Sequence, residues 1–405
     1  MVVGAGPSGT CLALELARAR WAVTLVEAMA HGTPRPYRGE GLMPSGLAAL
    51  EAMGHWPFPE GVVHRPLQGW AMVLEGRPFF SAPEPFGGDQ GCWLVDQESL
   101  LHHLRSQFLQ EGGSRLLEDC PVRGLLRSES MDRVQGVLLA DGTHVRADLV
   151  VGCDGRHSLV RQQAGLPLHQ ERQGEEVLWF RLAGEPVVPL AQWLGGRFLT
   201  VVGPGLSFAL FAEAAGGVLR LGWVAEGGLA RPGDTAGWRE LCSALLPGDG
   251  ALLMAQLPDA ALDGPQKFPV RVGWAPRWHR PGLLILGDAA HPMSPVRAQG
   301  INMALRDALV ASRLLASRVE GTGDVQGAID GQLPLIVGRR LLEIRLMQGL
   351  QAREASLGAR LRQQDWLRRI LASTAPWSGP VARHRWIQQQ HRLRQGAAGA
   401  LMLPE

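Results

Sequence analysis

The chain has 405 residues, 46% of them hydrophobic and 19% charged, with 52 glycines and 28 prolines. That balance is globular, spread over two or three domains, and excludes a disordered or fibrous chain; no apolar run reaches the roughly 18–20 residues a membrane-spanning helix needs. The net charge of +2 divides unevenly: residues 331–405 carry twelve arginines against four acids, a net of +8, and the preceding 330 residues carry −6. A nucleic-acid binder would show basic clusters on its main body, and this chain does not.

The first element is a short apolar strand running into Gly4-Ala5-Gly6-Pro7-Ser8-Gly9. In a G-x-G-x-x-G turn, Gly4 permits the tight bend, Gly6 lets the backbone approach a pyrophosphate, and Gly9 allows close packing of helix on strand. Pro7 and Ser8 open the helix, whose N-terminal amides favour a bound anion. Leu12, Leu14, Leu16 and Ala17 lead into a second strand at 22–26 that ends in Glu27. This acid lies about twenty residues after the glycines, where a carboxylate can accept hydrogen bonds from an adenosine ribose. Arg20 stands where a helix usually closes on glycine.

Further along, a hairpin over 134–145 precedes Val150-Val151-Gly152-Cys153-Asp154-Gly155. A later apolar strand, Leu283 to Leu286, delivers Gly287-Asp288, and Gly300-Ile301-Asn302 opens another helix. Amides at such a helix start stabilise negative charge on a bound group. Between these motifs, 61–91 and 166–274 read as short strands separated by Pro/Gly turns, which suits an antiparallel sheet forming one wall of a binding site. Trp70, Trp93, Trp179, Trp193 and Trp223 supply apolar surface there, mostly as core and in part as cavity lining. From about residue 331 the pattern is helical, with Leu342, Leu346, Leu350, Leu357 and Leu361 spaced by four or seven among arginines. These helices either pack on the body with solvated arginines or present a basic amphipathic surface to an anionic membrane, with Leu367, Ile370, Leu371, Trp377 and Trp386 as apolar contacts. Five scattered cysteines form no CxxC pair, against a disulfide framework or a structural zinc site. No charged segment followed by an apolar stretch and a cleavage site is visible, so the expected compartment is reducing and cytoplasmic.

The order GxGxxG, then Asp154-Gly155, then Gly287-Asp288 resembles the class A flavoprotein monooxygenases of the para-hydroxybenzoate hydroxylase type, over about 300 residues. The resemblance implies an α/β fold: a Rossmann-like FAD-binding domain (1–60, 92–165 and 275–330), an inserted, mainly antiparallel β-sheet substrate domain (61–91 and 166–274), and a basic helical C-terminal region (331–405). It implies FAD as cofactor and NADH or NADPH as transient reductant. It further implies that Glu27 binds the ribose and Asp288 the ribityl chain, and that Asp154 and Gly155 shape the junction with NAD(P)H. Arg38 matches an arginine near the flavin, and Gln97 a cofactor-contacting residue at a helix start.

The activity so implied is oxygenation, by hydroxylation or epoxidation, of an apolar or aromatic small molecule through a flavin C4a-hydroperoxide. The alternatives on this scaffold are a reductase of the geranylgeranyl-reductase type and a non-catalytic flavin-binding protein. Lys267 is the only lysine, it lies in Gln266-Lys267-Phe268, and no Trp-x-Trp-x-x-Pro is present, which excludes a halogenase. Tyr37, the only tyrosine, lies beside Arg38, so a tyrosine relay to a phenol is not expected. No catalytic acid or base stands out. Pro295 and Arg297 are the candidates in the flavin-face loop, where family members often carry a small residue at the position of Arg297. Its guanidinium either points to solvent or approaches the flavin or an anionic substrate group.

Overall fold

A computed structural model describes residues 1–33, 41–86, 88, 90–130, 132–170, 176–225, 234–319 and 323–397. Six strands form the first sheet, in the order 279–280, 283–285, 150–152, 2–3, 24–26 and 115–117. All neighbours in it pair in parallel except the 279–280 edge. The strands before the glycine turn, before Asp154 and before Asp288 are adjacent, so three motifs far apart in sequence emerge at the same carboxyl edge. In an open parallel sheet, that edge is where ligands bind.

The helix Pro7–Arg18 packs over this sheet with Leu12, Leu14 and Leu16 buried. It ends through Arg20, held left-handed at φ 62, a cost of about 1 kcal/mol for a residue other than glycine. The helix Gln299–Val319 covers the same layer, with Met303, Leu305, Ala308 and Leu315 fully buried.

A second sheet of seven strands runs 262–269, 176–182, 219–225, 206–212, 197–203, 69–74 and 77–83. It is antiparallel throughout except where Gly69–Leu74 pairs with Arg197–Gly203. Alternation along 176–182 buries Val177, Leu178, Phe180 and Leu182. One face builds a core with Trp238, Cys242 and Met254; the other faces the first sheet's carboxyl edge.

Three helices close the chain: Val325–Gln363, Asp365–Ser373 and Ala375–Gln395. Ile329, Leu333, Ile336, Ile344 and Met347 of the first join the main core, each contributing roughly 1.5–3 kcal/mol by burial. The leucine spacing is not the buried face: Leu350 and Leu361 are buried, whereas Leu342 is 78% exposed and Leu346 and Leu357 are also exposed. Nor are the arginines simply solvated. Arg340, Arg362, Arg368 and Arg394 are buried, and three of them pair with acids of the body. Arg340 reaches Asp307 at 2.7 Å, Arg368 reaches Glu75 at 2.5 Å, and Arg394 reaches Glu84 at 2.5 Å. Part of the charge imbalance is an internal complementarity. Severing one such buried pair costs about 3–5 kcal/mol, because the remaining charge is left bare. No described helix is long and apolar enough to cross a membrane.

Candidate active site

A cavity of about 400 Å³ opens between the two sheets and under the C-terminal helices. Gly6, Pro7 and Ser8 line it at the start of the first helix, Gln97 lines it at the start of the helix Gln97–Gln110, and Gly155, Gly287 and Asp288 line it from the other motifs. Gly300 and Ile301, in the first turn of the helix after the flavin-face loop, face the same space, as do Pro295 and Arg297 of that loop. These residues come from five separate segments.

The glycines have distinct jobs. A Cβ on Gly4 would lie 2.4 Å from the Cys153 carbonyl oxygen, and one on Gly9 would lie 2.0 Å from the Gly4 carbonyl oxygen. Both positions therefore hold backbone against backbone. A Cβ on Gly6 would meet nothing within 4 Å; its space belongs to the cavity. The first helix starts there with no side-chain cap and no acid in its first turn. Such a start suits a bound pyrophosphate, so the residues present fit a dinucleotide.

Glu27 is buried, and its two oxygens accept the Ala5 and Met29 backbone N–H groups at 3.1 Å each. A buried carboxylate beside the glycine turn is of the kind that accepts from ribose hydroxyls. Asp154 accepts from the Ser158 hydroxyl at 2.5 Å and the Val160 N–H at 3.0 Å. Burial pushes its carboxyl above the usual range, against those hydrogen bonds. It therefore shapes the turn that presents Gly155 (φ 81) to the cavity. Asn302 lies behind the cavity wall, fully buried: it accepts from the Met43 N–H at 2.8 Å and donates to the Ala298 carbonyl at 2.8 Å. Arg38 falls outside the described residues, as does Tyr37.

Arg297 does not point to solvent. Its Nε donates to Glu354 at 2.6 Å, and its guanidinium lies 4.6 Å from the Trp70 ring and 5.1 Å from the Trp386 ring. Trp386, grouped by sequence with the membrane-facing residues, is a cavity residue. Sequence reasoning also missed Arg156, although it sits within the Asp154 motif. Arg156 stacks 4.2 Å over Phe268, approaches Asp288 at 3.9 Å and so links two motifs to the large sheet. That sheet contributes the aromatic wall, with Phe198 and Phe211 stacked at 4.9 Å and Trp179 beside them. Trp70 and Trp93 line the cavity too, whereas Trp223 and Trp193 pack in the sheet's own core. His291 is buried and bonds Asp307 at 2.6 Å, away from the cavity.

The match to known proteins agrees with this architecture. The model of the FAD binding domain family matches residues 1–328. The chain is 34% identical over 335 residues to 6-methylpretetramide 4-monooxygenase of Streptomyces rimosus, covering 78% of this chain and 74% of that protein. It is 27% identical over 323 residues to 3-demethoxyubiquinol 3-hydroxylase of Escherichia coli, covering 76% of each. Among solved structures, PqsL of P. aeruginosa in complex with 2-aminobenzoylacetate superposes with a TM-score of 0.75 at 21% identity, over 92% of this chain and 97% of that one. The chain belongs to the FAD binding domain family, and it is an FAD-dependent monooxygenase of the class A flavoprotein group.

Proposed function

We propose that this enzyme oxygenates a flat, largely apolar aromatic molecule. The observation that carries this reading is the single cavity in which the glycine turn, the Gly287-Asp288 motif and a wall of Trp179, Phe198 and Phe211 meet. Offset stacking on that wall would orient a planar ring.

When bound, FAD would supply the redox chemistry, with NADH or NADPH as reductant and O2 as the source of one oxygen atom in the product and one in water. The chain's own part is binding, orientation and water exclusion. In our reading Gly4, Gly6, Pro7, Ser8 and Gly9 with the first helix hold the pyrophosphate, Glu27 the ribose, and Gln97, Gly287 and Asp288 the ribityl side. Asp154 and Gly155 border the approach of the nicotinamide. Backbone amides in the turn of Gly300, Ile301 and Asn302 would stabilise negative charge on a reduced flavin, and Pro295 would shape the space for oxygen without acting as acid or base. The cofactor body would then be 1–60, 92–165 and 275–330, the substrate sheet 61–91 and 166–274, and 331–405 the cover.

The test is anaerobic reduction with NADH or NADPH followed by oxygen, in the presence of a panel of polycyclic phenols and isoprenoid quinols. At least one aromatic compound should accelerate nicotinamide oxidation about tenfold or more, one kcal/mol-scale binding step being enough for that factor, and should gain one oxygen atom. Reduction of a substrate double bond without oxygen incorporation would point to the reductase reading instead.

We further propose that the C-terminal helices contact an anionic membrane surface. Trp366 and Ile370 on one helix, and Trp377 and Val381 on the next, are all more than half exposed at i,i+4 spacing, with Arg369, Arg383 and Arg385 exposed among them. Such a basic, aromatic-rich face suits a lipid interface. Sedimentation with phosphatidylserine vesicles should fall with added salt and fall again in Trp366→Ser/Trp377→Ser. No binding at low salt rejects the idea.

A further inference from the structure

We propose that the long helix Val325–Gln363 sets the geometry of the flavin-face loop, with Gln351 and Glu354 as positioning residues. Three polar residues on successive turns of this helix reach the loop. Gln348 Nε2 donates to the Pro292 carbonyl at 3.4 Å and, at 2.7 Å, to the carbonyl of Gly273, whose own N–H donates to Pro292. Gln351 Nε2 donates to two loop carbonyls, Ser294 at 3.0 Å and Val296 at 2.6 Å. Glu354 Oε1 accepts from Arg297, and its Oε2 accepts from Gln390 Nε2 at 2.8 Å on the last helix.

The loop needs such support. Arg297 (φ 56) and Ala298 (φ 48) are consecutive non-glycine residues in the left-handed region, a conformation that persists where surrounding contacts over-determine it. Gln351 is 1% exposed and its carboxamide oxygen has no hydrogen-bond partner among the described residues. A residue kept for packing alone would be cheaper as leucine or methionine. Its donor end, bridging two carbonyls, is what the position uses.

The loop carries Pro295 and leads directly into the turn of Gly300 and Ile301, so its conformation fixes how that helix start meets the flavin. Its charge matters as well. Arg297 and Glu354 neutralise each other beside the cavity. Glu354→Gln would leave the guanidinium uncompensated, which favours the reduced, anionic flavin and raises its potential.

The inference rests on FAD occupying this cavity and not on any substrate, and the visible spectrum of the parent holoenzyme checks that occupancy independently. In purified holoenzymes, Glu354→Gln should shift the two-electron reduction equilibrium at least tenfold toward reduced flavin, ~30 mV. Gln351→Met, similar in length but with no donor, should change the visible circular dichroism of bound FAD. Both should keep FAD affinity within threefold of the parent, because the grips at Gly6 and Glu27 are untouched. Leu342→Gln, on the exposed side of the same helix, should change none of these. Parental potential and dichroism in both variants would overturn the proposal, as would an equal change in Leu342→Gln. If Gln351→Met does not accumulate with FAD, the potential of Glu354→Gln decides alone.

Discussion

Asp307→Asn is expected to destabilise the protein by about 3–5 kcal/mol, the usual cost of removing one member of a fully buried charge network. Asp307 has no exposed side-chain surface. One oxygen accepts the Gly287 N–H at 2.9 Å and His291 Nε2 at 2.6 Å, and the other accepts Arg340 Nε at 2.7 Å. Arg340 continues to Glu343, which holds Arg306 at 2.6 Å. An asparagine would keep the shape but turn an amide donor toward one of these donors, leaving buried N–H groups facing each other. Because Gly287 is one of the groups released, Asp288 would shift at the cavity and FAD affinity would fall with stability. The urea midpoints of the holo and apo forms measure both effects. Arg340→Met should cost a similar amount, and the double variant less than the sum, since the two residues share one interaction.

The same residue gives a pH signature. Burial alone would raise the Asp307 carboxyl, but His291 and Arg340 outweigh it and hold it down at about 2, from an ordinary 3.8. A depressed carboxyl contributes stability above its unfolded value. That contribution disappears as pH falls from about 4 to about 2, because the unfolded chain takes the proton first. The parent should therefore lose stability across this window more steeply than Asp307→Asn, which has no carboxyl there to protonate. Parallel curves for the two proteins would assign the acid sensitivity elsewhere.

What the sequence disclosed, and what it hid, follows from the range of the interactions. Gly4, Gly6 and Gly9 were readable because a glycine-rich turn before a helix is a local pattern with a steric cause. The hairpin strand at Val134–Leu139 and the strand at Glu176–Leu182 were readable because alternation is local too. The long C-terminal helix was visible as a helix, but its buried face was not. That face carries Arg340, Glu343, Gln348 and Gln351 among its apolar residues, so its period is broken in any hydrophobicity reading, and the more regular leucines proved to be partly solvent-facing. The partner of Arg297 was hidden for a different reason. Glu354 is 57 residues downstream, and only the packing of that helix across the loop brings them together. Likewise, the −6 of residues 1–330 and the +8 of residues 331–405 read as a surface property, whereas Arg368 and Arg394 are inserted against Glu75 and Glu84. A charge count records sign but not location.

Gly9→Ala and Gly6→Ala, three residues apart in one motif, should fail in opposite ways. At Gly9 the new methyl would sit 2.0 Å from the Gly4 carbonyl oxygen and 3.1 Å from Cys153 Cβ. The nearer atom is backbone and cannot rotate away, so the first helix must lift off its strand. Leu12, Leu14 and Leu16 leave their packed positions with it, and overpacking of this kind costs about 1–3 kcal/mol or more. The apo form itself should therefore melt earlier, and FAD should be lost as a consequence. At Gly6 the methyl meets no protein atom within 4 Å. The apo form should keep its parental melting point, since the position already has extended backbone as the helix cap, at φ −80 and ψ −176. The methyl instead occupies the space where a pyrophosphate must approach the backbone amides. Losing two charge-assisted hydrogen bonds at about 1.5–3 kcal/mol each corresponds to roughly a hundredfold or greater loss of FAD affinity. Equilibrium dialysis with FAD, beside melting of the apo proteins, separates the two cases. A Gly6→Ala protein that binds FAD like the parent would remove the cofactor from this turn. A Gly9→Ala apo protein as stable as the parent would mean that the helix can yield without breaking its seat.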